Sequence, residues 1–143
     1  MTVATGGYRI IDEPVPSALS RFIANPFLMM IVAMVAPPFL AQTIPYPHLL
    51  VLAWFAFNSF ALGSPTRARE IAWIIAGCVL VLGFLDLLML IHNLRLVTPE
   101  FLKAAAAYLW ILHSAALLAV YNRLFLYQQG PYQLHRYLHP EPR

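Results

Sequence analysis

Two ionisable side chains interrupt long apolar stretches of this sequence, Asp86 and His113. Asp86 is the single charge in residues 71–91, a run that as a helix would extend roughly 30 Å, the thickness of a bilayer's hydrocarbon core. An acid at the centre of such a helix costs on the order of 3 kcal/mol, so it is normally paired or functional. Counted from the same end of the bundle, Asp86 lies about 9 Å deep and His113 about 15 Å deep. We therefore predict that the two form one intramembrane polar site.

An aspartate beside a histidine is open to two kinds of chemistry. The carboxylate would stabilise a protonated imidazole, which softens the cost of burying either group. As a structural feature, the pair would clasp two helices and contribute about 1 kcal/mol. As a functional feature, it would relay a proton or bind a substrate or ion. The four predicted helices, alone or as an oligomer, would then act as a small transporter or proton-conducting protein.

The histidines also suggest a redox protein that carries one b-type haem. His48, His92 and His113 fall in the same half of the predicted membrane, and two imidazoles on neighbouring helices can bind a haem iron axially. The pair would be His113 with either His92 or His48. Together with Asp86, the three could instead hold a transition metal. Neither arrangement follows a recurring sequence motif, so the cofactor stays open and no metal site is assigned.

The usual signatures of catalysis are absent from the sequence. It contains no phosphate-binding loop, nucleophile elbow, cysteine pair or HExxH zinc motif, so we do not predict an enzyme. Its one cysteine, Cys78, cannot form an internal disulfide. The pI is near 9.3, but the nine Lys and Arg residues form no stripe that could contact phosphates. This pattern argues against nucleic-acid binding.

The composition is that of a membrane protein. The chain has 143 residues, of which 61% are hydrophobic and only 10% are charged, whereas soluble domains carry about 25% charged residues. Most of its surface must therefore face lipid or other protein. The length leaves room for no separate soluble domain. We predict an all-α, polytopic integral membrane protein.

The order of apolar runs and helix breakers predicts a four-helix transmembrane bundle over residues 22–127. The spans are placed at about 22–43, 46–62, 70–94 and 101–127. Pro37-Pro38 should kink or break the first span, and Gly130-Pro131 should end the fourth. Residues 1–21 and 128–143 are then polar, proline-bearing tails. The C-terminal tail could lie at the lipid interface or run across a neighbouring subunit.

The distribution of Lys and Arg predicts that both termini are cytoplasmic. Seven of these residues fall on the side of the termini and two on the other side, and an excess of positive charge marks the cytoplasmic side. An even number of spans agrees with this orientation. The first group is Arg9, Arg21, Arg67, Arg69, Arg123, Arg136 and Arg143, and the second is Arg95 and Lys103.

Together these features favour a non-catalytic subunit. We expect a small integral protein of the cell inner membrane that is a subunit, assembly partner or stabilising partner of a larger complex. Its partners would be the lipid bilayer and either other membrane-protein subunits or further copies of itself. The grounds are the missing catalytic motifs and the absence of an extramembrane domain.

Overall fold

The computed structural model of the protein describes residues 22–41, 43, 46–94 and 98–138. Within these ranges the chain forms four α-helices and no strand, which confirms the all-α class for this part of the protein. The predicted N-terminal tail, residues 1–21, and the last five residues of the predicted C-terminal tail lie outside the described ranges. The helices are α1 (Pro26–Leu40), α2 (Pro47–Ala61), α3 (Arg67–Leu94) and α4 (Pro99–Leu138).

Local sequence explains where the first two helices begin and where α2 ends. The Asn25 side chain accepts a hydrogen bond from the Phe27 amide, and Pro26 occupies the first turn, where its missing N–H costs nothing. Pro47 likewise occupies the first turn of α2. After α2, Gly63 has a φ of +60°, a left-handed conformation that a glycine adopts without a steric penalty. The chain can therefore reverse within a few residues and enter α3.

The helices alternate in direction and pack as a four-membered bundle. α1 contacts α2 and α4, α3 contacts the same two helices, and α2 and α4 also touch across the centre. The core is a continuous apolar cluster with contributions from all four helices. Its buried members are Met29, Ala33, Val51, Leu52, Phe55, Ile74, Val81, Leu117, Val120, Tyr121 and Leu124.

Gly77 lets three helices approach closely at the centre of this core. A Cβ atom built at Gly77 would lie 2.9 Å from a terminal carbon of Leu52 on α2 and 3.3 Å from a γ-carbon of Val120 on α4. Both distances are shorter than ordinary van der Waals contact. By contrast, a Cβ atom at Gly83, later on the same helix, would meet nothing within 4 Å. Of these two glycines, only Gly77 lies in close contact with side chains of the neighbouring helices.

The chain does not break at Pro37-Pro38, one of the two outcomes predicted there, and the helix does not end at Gly130-Pro131. α1 continues through Pro37 to Leu40, and the Ala41 amide still donates to the Pro37 carbonyl, so the helix loses two backbone donors but does not end there. α4 continues through Pro131 to Leu138, so residues 128–138 are helical and the predicted helix end at Gly130-Pro131 is wrong. The Gln128 side chain, three residues before Pro131, makes buried hydrogen bonds to α2 and α3. Tertiary contacts of this kind commonly override local helix propensity.

The long helices have the composition of membrane spans. Arg67–Asn93 and Lys103–Leu138 are long and apolar enough to cross a bilayer, and only 17% of the most apolar window of each is buried inside the protein. A core helix of a soluble protein would be mostly buried. α1 and α2 are apolar as well, but each has 15 residues and extends for about 22 Å. Large apolar side chains are exposed on all four helices.

Candidate functional sites: a buried polar network and a cavity with two histidines

A network of polar side chains is buried at one end of the bundle, around Glu70 in the first turn of α3. The Glu70 side chain is fully buried and accepts three hydrogen bonds. The Ser64 and Thr66 hydroxyls donate to Oε1, at 2.7 Å for Thr66, and Gln128 Nε2 donates to Oε2 at 2.9 Å. Each carboxylate oxygen therefore has a donor, as a buried carboxylate requires.

Gln128 and Asn58 extend the network to the other helices. Gln128 Nε2 also donates to the Phe55 carbonyl at 2.9 Å, and Asn58 Nδ2 donates to Gln128 Oε1 at 2.8 Å. Asn58 Oδ1 accepts from the Ala24 amide at 3.0 Å, just before α1. Both amide side chains are fully buried. The network therefore ties together the segment before α1, the end of α2, the start of α3 and the last third of α4.

Two polar atoms beside the network are buried without a hydrogen-bond partner among the described residues. They are the Ser59 hydroxyl and Nε of Arg67. A helical serine usually donates to the carbonyl four residues earlier, here that of Phe55, and this carbonyl already accepts from Gln128. The Arg67 guanidinium lies 4.9 Å from the centre of the Phe60 ring, a cation–π contact that partly compensates its burial.

A cavity of about 660 Å³ occupies the opposite half of the bundle. All four helices contribute to its wall. Most of the wall is apolar, and the residues in it with polar side-chain atoms are Tyr46, His48, Trp110, His113, Ser114 and Tyr121. The Ser114 hydroxyl is already used within α4, where it donates to the Trp110 carbonyl at 2.8 Å. Among these groups, His48, His113 and Tyr121 lie next to one another and keep hydrogen-bonding capacity for a ligand.

The two histidine rings meet across the cavity. Nδ1 of His48 is 2.9 Å from the Tyr121 hydroxyl, and the centroids of the His48 and His113 rings are 6.4 Å apart, with the rings nearly perpendicular. His113 stacks on Phe84 with a centroid distance of 4.2 Å. Neither nitrogen of His113 has a hydrogen-bond partner in the part of the chain that the structure describes.

The structure does not bring Asp86 and His113 together. Phe84 faces His113, and at 100° per residue a side chain two positions further along a helix points to nearly the opposite side. Asp86 is accordingly exposed on the outside of the bundle. Within the described ranges, no hydrogen bond or ion pair joins it to His113. Residue positions along the helices predict similar depths for Asp86 and His113, but they do not predict the direction in which either side chain points.

Of the two haem pairings that the sequence left open, only His113 with His48 has its rings close together. His92 is exposed near the end of α3 and is not part of the cavity wall. Among the residues described, no group of three or more His, Cys, Asp or Glu side chains could hold a metal ion. The haem hypothesis therefore stays a prediction that concerns one pair of residues.

The hydrogen bond between Tyr121 and His48 should contribute measurably to stability. Replacing Tyr121 with phenylalanine keeps the buried ring and its stacking on Phe55, but leaves Nδ1 of His48 without this partner. We expect the free energy of unfolding to fall by about 1 kcal/mol, measured by thermal unfolding in detergent. Tyr108→Phe is the matched control, because Tyr108 is 76% exposed. Equal melting temperatures for the two variants would contradict the assignment.

Comparison with known proteins gives no functional assignment. The sequence matches no family model, no curated protein and no solved structure.

Proposed function

We propose that this protein is a small, non-catalytic subunit or assembly partner of a larger complex in the cell inner membrane. In this proposal all four helices cross the membrane and both termini are cytoplasmic. The end of the bundle with the Glu70 network then faces the cytoplasm, and the cavity lies towards the outer face. The apolar side chains exposed on each helix support a bilayer environment, because soluble monomers rarely expose apolar patches of this extent.

The exposure of Asp86 is the observation that carries the subunit proposal. Asp86 lies eight residues before the end of α3, or about 12 Å along the helix axis. Its neighbours on the same helical face are exposed and uncharged: Leu82, Gly83, Met89 and Leu90. A carboxylate on a lipid-facing surface at this depth would cost up to about 3 kcal/mol. A partner that covers this face and offers a donor or a cation would remove that cost.

The same face could be covered by a second copy of the chain or by another protein. The absence of catalytic motifs and the small size favour a heterologous partner. Transport or proton conduction by a homodimer remains a prediction, in which Asp86 would lie at the dimer interface and not in a pathway within one bundle. An acid within a membrane span is almost always paired with another polar group, which a second chain at this face could supply.

Replacing Asp86 with leucine should release the protein from its complex. We expect the tagged wild-type protein, expressed at native level and extracted in mild detergent, to migrate with co-purifying membrane proteins in size-exclusion chromatography. Asp86→Leu should shift most of the protein to the size of the free chain, because the interface loses a buried polar contact. Glu100→Leu is the matched control, since Glu100 is an exposed acid in the first turn of α4.

Two results would contradict the proposal. One is a wild-type protein that migrates as a monomer with no co-purifying subunit. The other is an Asp86→Leu protein that keeps the same partners in the same amounts as wild type. A wild-type assembly that contains this chain alone would instead assign the Asp86 face to a homo-oligomer.

A further inference from the structure

The cavity between the two histidines has the properties of a ligand site. We propose that it binds a neutral, lipid-soluble molecule with a flat ring that carries carbonyl or hydroxyl oxygens, the chemical class of quinones and quinols. This proposal concerns the half of the bundle remote from Glu70 and does not depend on whether the Asp86 face binds a partner.

The charge of the wall favours a neutral ligand. None of the described residues that line the cavity is Asp, Glu, Lys or Arg. A charged ligand would therefore have no described counter-charge in an apolar environment, where an unpaired charge is strongly disfavoured. The volume of about 660 Å³ lies within the range of small-molecule sites, about 300–1,000 Å³.

The polar groups of the wall match a ring with oxygen substituents. Tyr121 orients His48 through Nδ1, which leaves Nε2 of that imidazole for a ligand. Both nitrogens of His113 are without a hydrogen-bond partner among the residues described. A neutral imidazole has one donor and one acceptor, so the two rings can bond a carbonyl oxygen and a hydroxyl group alike. The site could therefore accept either the oxidised or the reduced form of such a ring.

The apolar part of the wall favours a flat ring. The Phe84 and His113 rings already stack with an angle of 16° between their planes, and Trp110 and Tyr46 contribute further aromatic surface. Offset stacking and edge contacts on such rings stabilise a planar ligand more than a flexible chain of the same size.

The exposure of wall residues indicates that the cavity opens between α1 and α4. Wall residues on these two helices are exposed to the outside, namely Met34 on α1 and Trp110 and Leu118 on α4. The surface around this opening is apolar. A ligand dissolved in lipid could therefore enter sideways without crossing water, and an isoprenoid or alkyl tail could remain outside in the bilayer.

A b-type haem is the competing occupant. The distance of 6.4 Å between the two imidazole centroids would also suit two axial ligands of one iron, because each ligating nitrogen lies about 2 Å from the metal. A haem carries two carboxylates, however, and the described wall offers no cation to either of them. The neutral ring therefore fits the wall better, and the experiment distinguishes the two.

Binding can be measured by the fluorescence of Trp110. The chain has three tryptophans, so Trp54→Phe with Trp73→Phe leaves the one in the cavity wall as the reporter. Decylubiquinone is titrated into this protein in nanodiscs. We expect saturable quenching of the Trp110 fluorescence. The affinity for the quinone should fall at least tenfold when Ala115, in the wall, is replaced with phenylalanine. Ala119→Phe, one turn further on and not in the wall, should leave the affinity unchanged.

A second pair of variants keeps the test valid if Ala115→Phe folds poorly. His48→Leu should weaken binding about tenfold through the loss of one hydrogen bond, whereas His92→Leu should not change it. Helix content by circular dichroism verifies the fold of every variant. Quenching that is linear and equal in all variants would overturn the proposal. So would a haem absorption band in the purified protein that disappears in both His48→Leu and His113→Leu, since haem would then be the occupant.

Discussion

Replacing Gln128 with leucine is expected to lower the free energy of unfolding by about 3–5 kcal/mol, the loss typical of breaking a buried charged or multiply bonded group. The leucine has nearly the same volume but no polar atom. It would leave Nδ2 of Asn58, the Phe55 carbonyl and Oε2 of Glu70 without their partner. Because all three helices α2, α3 and α4 meet at this side chain, the loss cannot be repaired by a local shift of one residue.

Gln129→Leu is the matched control for this prediction. Gln129 is the next residue of α4 and is only half-buried, and no hydrogen bond joins it to the network. Unfolding in mixed micelles, followed by circular dichroism, gives the free energy of both variants. A loss below about 1 kcal/mol for Gln128→Leu, within the range of an ordinary exposed hydrogen bond, would show that the network is not formed in the membrane-like environment.

Replacing Gly77 with leucine should be the most damaging change in the apolar core. Even the first carbon of the new side chain would approach Leu52 on α2 to 2.9 Å and Val120 on α4 to 3.3 Å, before the other three carbons are accommodated. Overpacking of this kind costs about 1–3 kcal/mol and occasionally more, and here two helix contacts must separate. We expect the melting temperature of this variant to be lower than that of the wild-type protein, or the variant to fail to accumulate.

Gly83→Leu tests whether the effect belongs to packing. It makes the same chemical change six residues later in α3, where a Cβ atom meets no atom within 4 Å. Leucine has a higher helix propensity than glycine, so this variant should be neutral or more stable by up to about 1 kcal/mol. Equal destabilisation of the two variants would point to the helix itself and not to the close approach of α2 and α4.

The sequence predicted the helical class and the approximate helices because both follow from local patterns. Long apolar runs bounded by prolines and glycines determine where helices can begin. Their ends were less predictable: Pro131 is a helix breaker by its own chemistry, but Gln128, three residues earlier, is held by groups on two other helices. Glu70 and Gln128 are 58 positions apart, and no pattern in the sequence relates them.

The candidate residues of the cavity were predicted only in part. The sequence predicts that His48 and His113 lie in the same half of the membrane. The sequence could not decide which histidine would face His113, because depth along a helix is set by residue number whereas facing depends on rotation and packing. The same limit explains Asp86. Tyr121, which orients His48, was not identified, since a tyrosine in an apolar helix is common and gives no signal of its partner.

The unequal lengths of the helices have a consequence for the surrounding lipid. α1 and α2 pack side by side and extend for about 22 Å each, whereas α3, with 28 residues, extends for about 42 Å. The hydrocarbon core of a bilayer is about 30 Å thick, which exceeds the length of α1 and α2. The bilayer beside these two helices would have to become thinner by several ångströms, and this deformation costs a fraction of a kcal/mol for each ångström. This elastic deformation would sort the protein towards thin regions of the membrane. A neighbour with an equally short flank would share the thinned patch, so that lipid elasticity alone would draw the two proteins together.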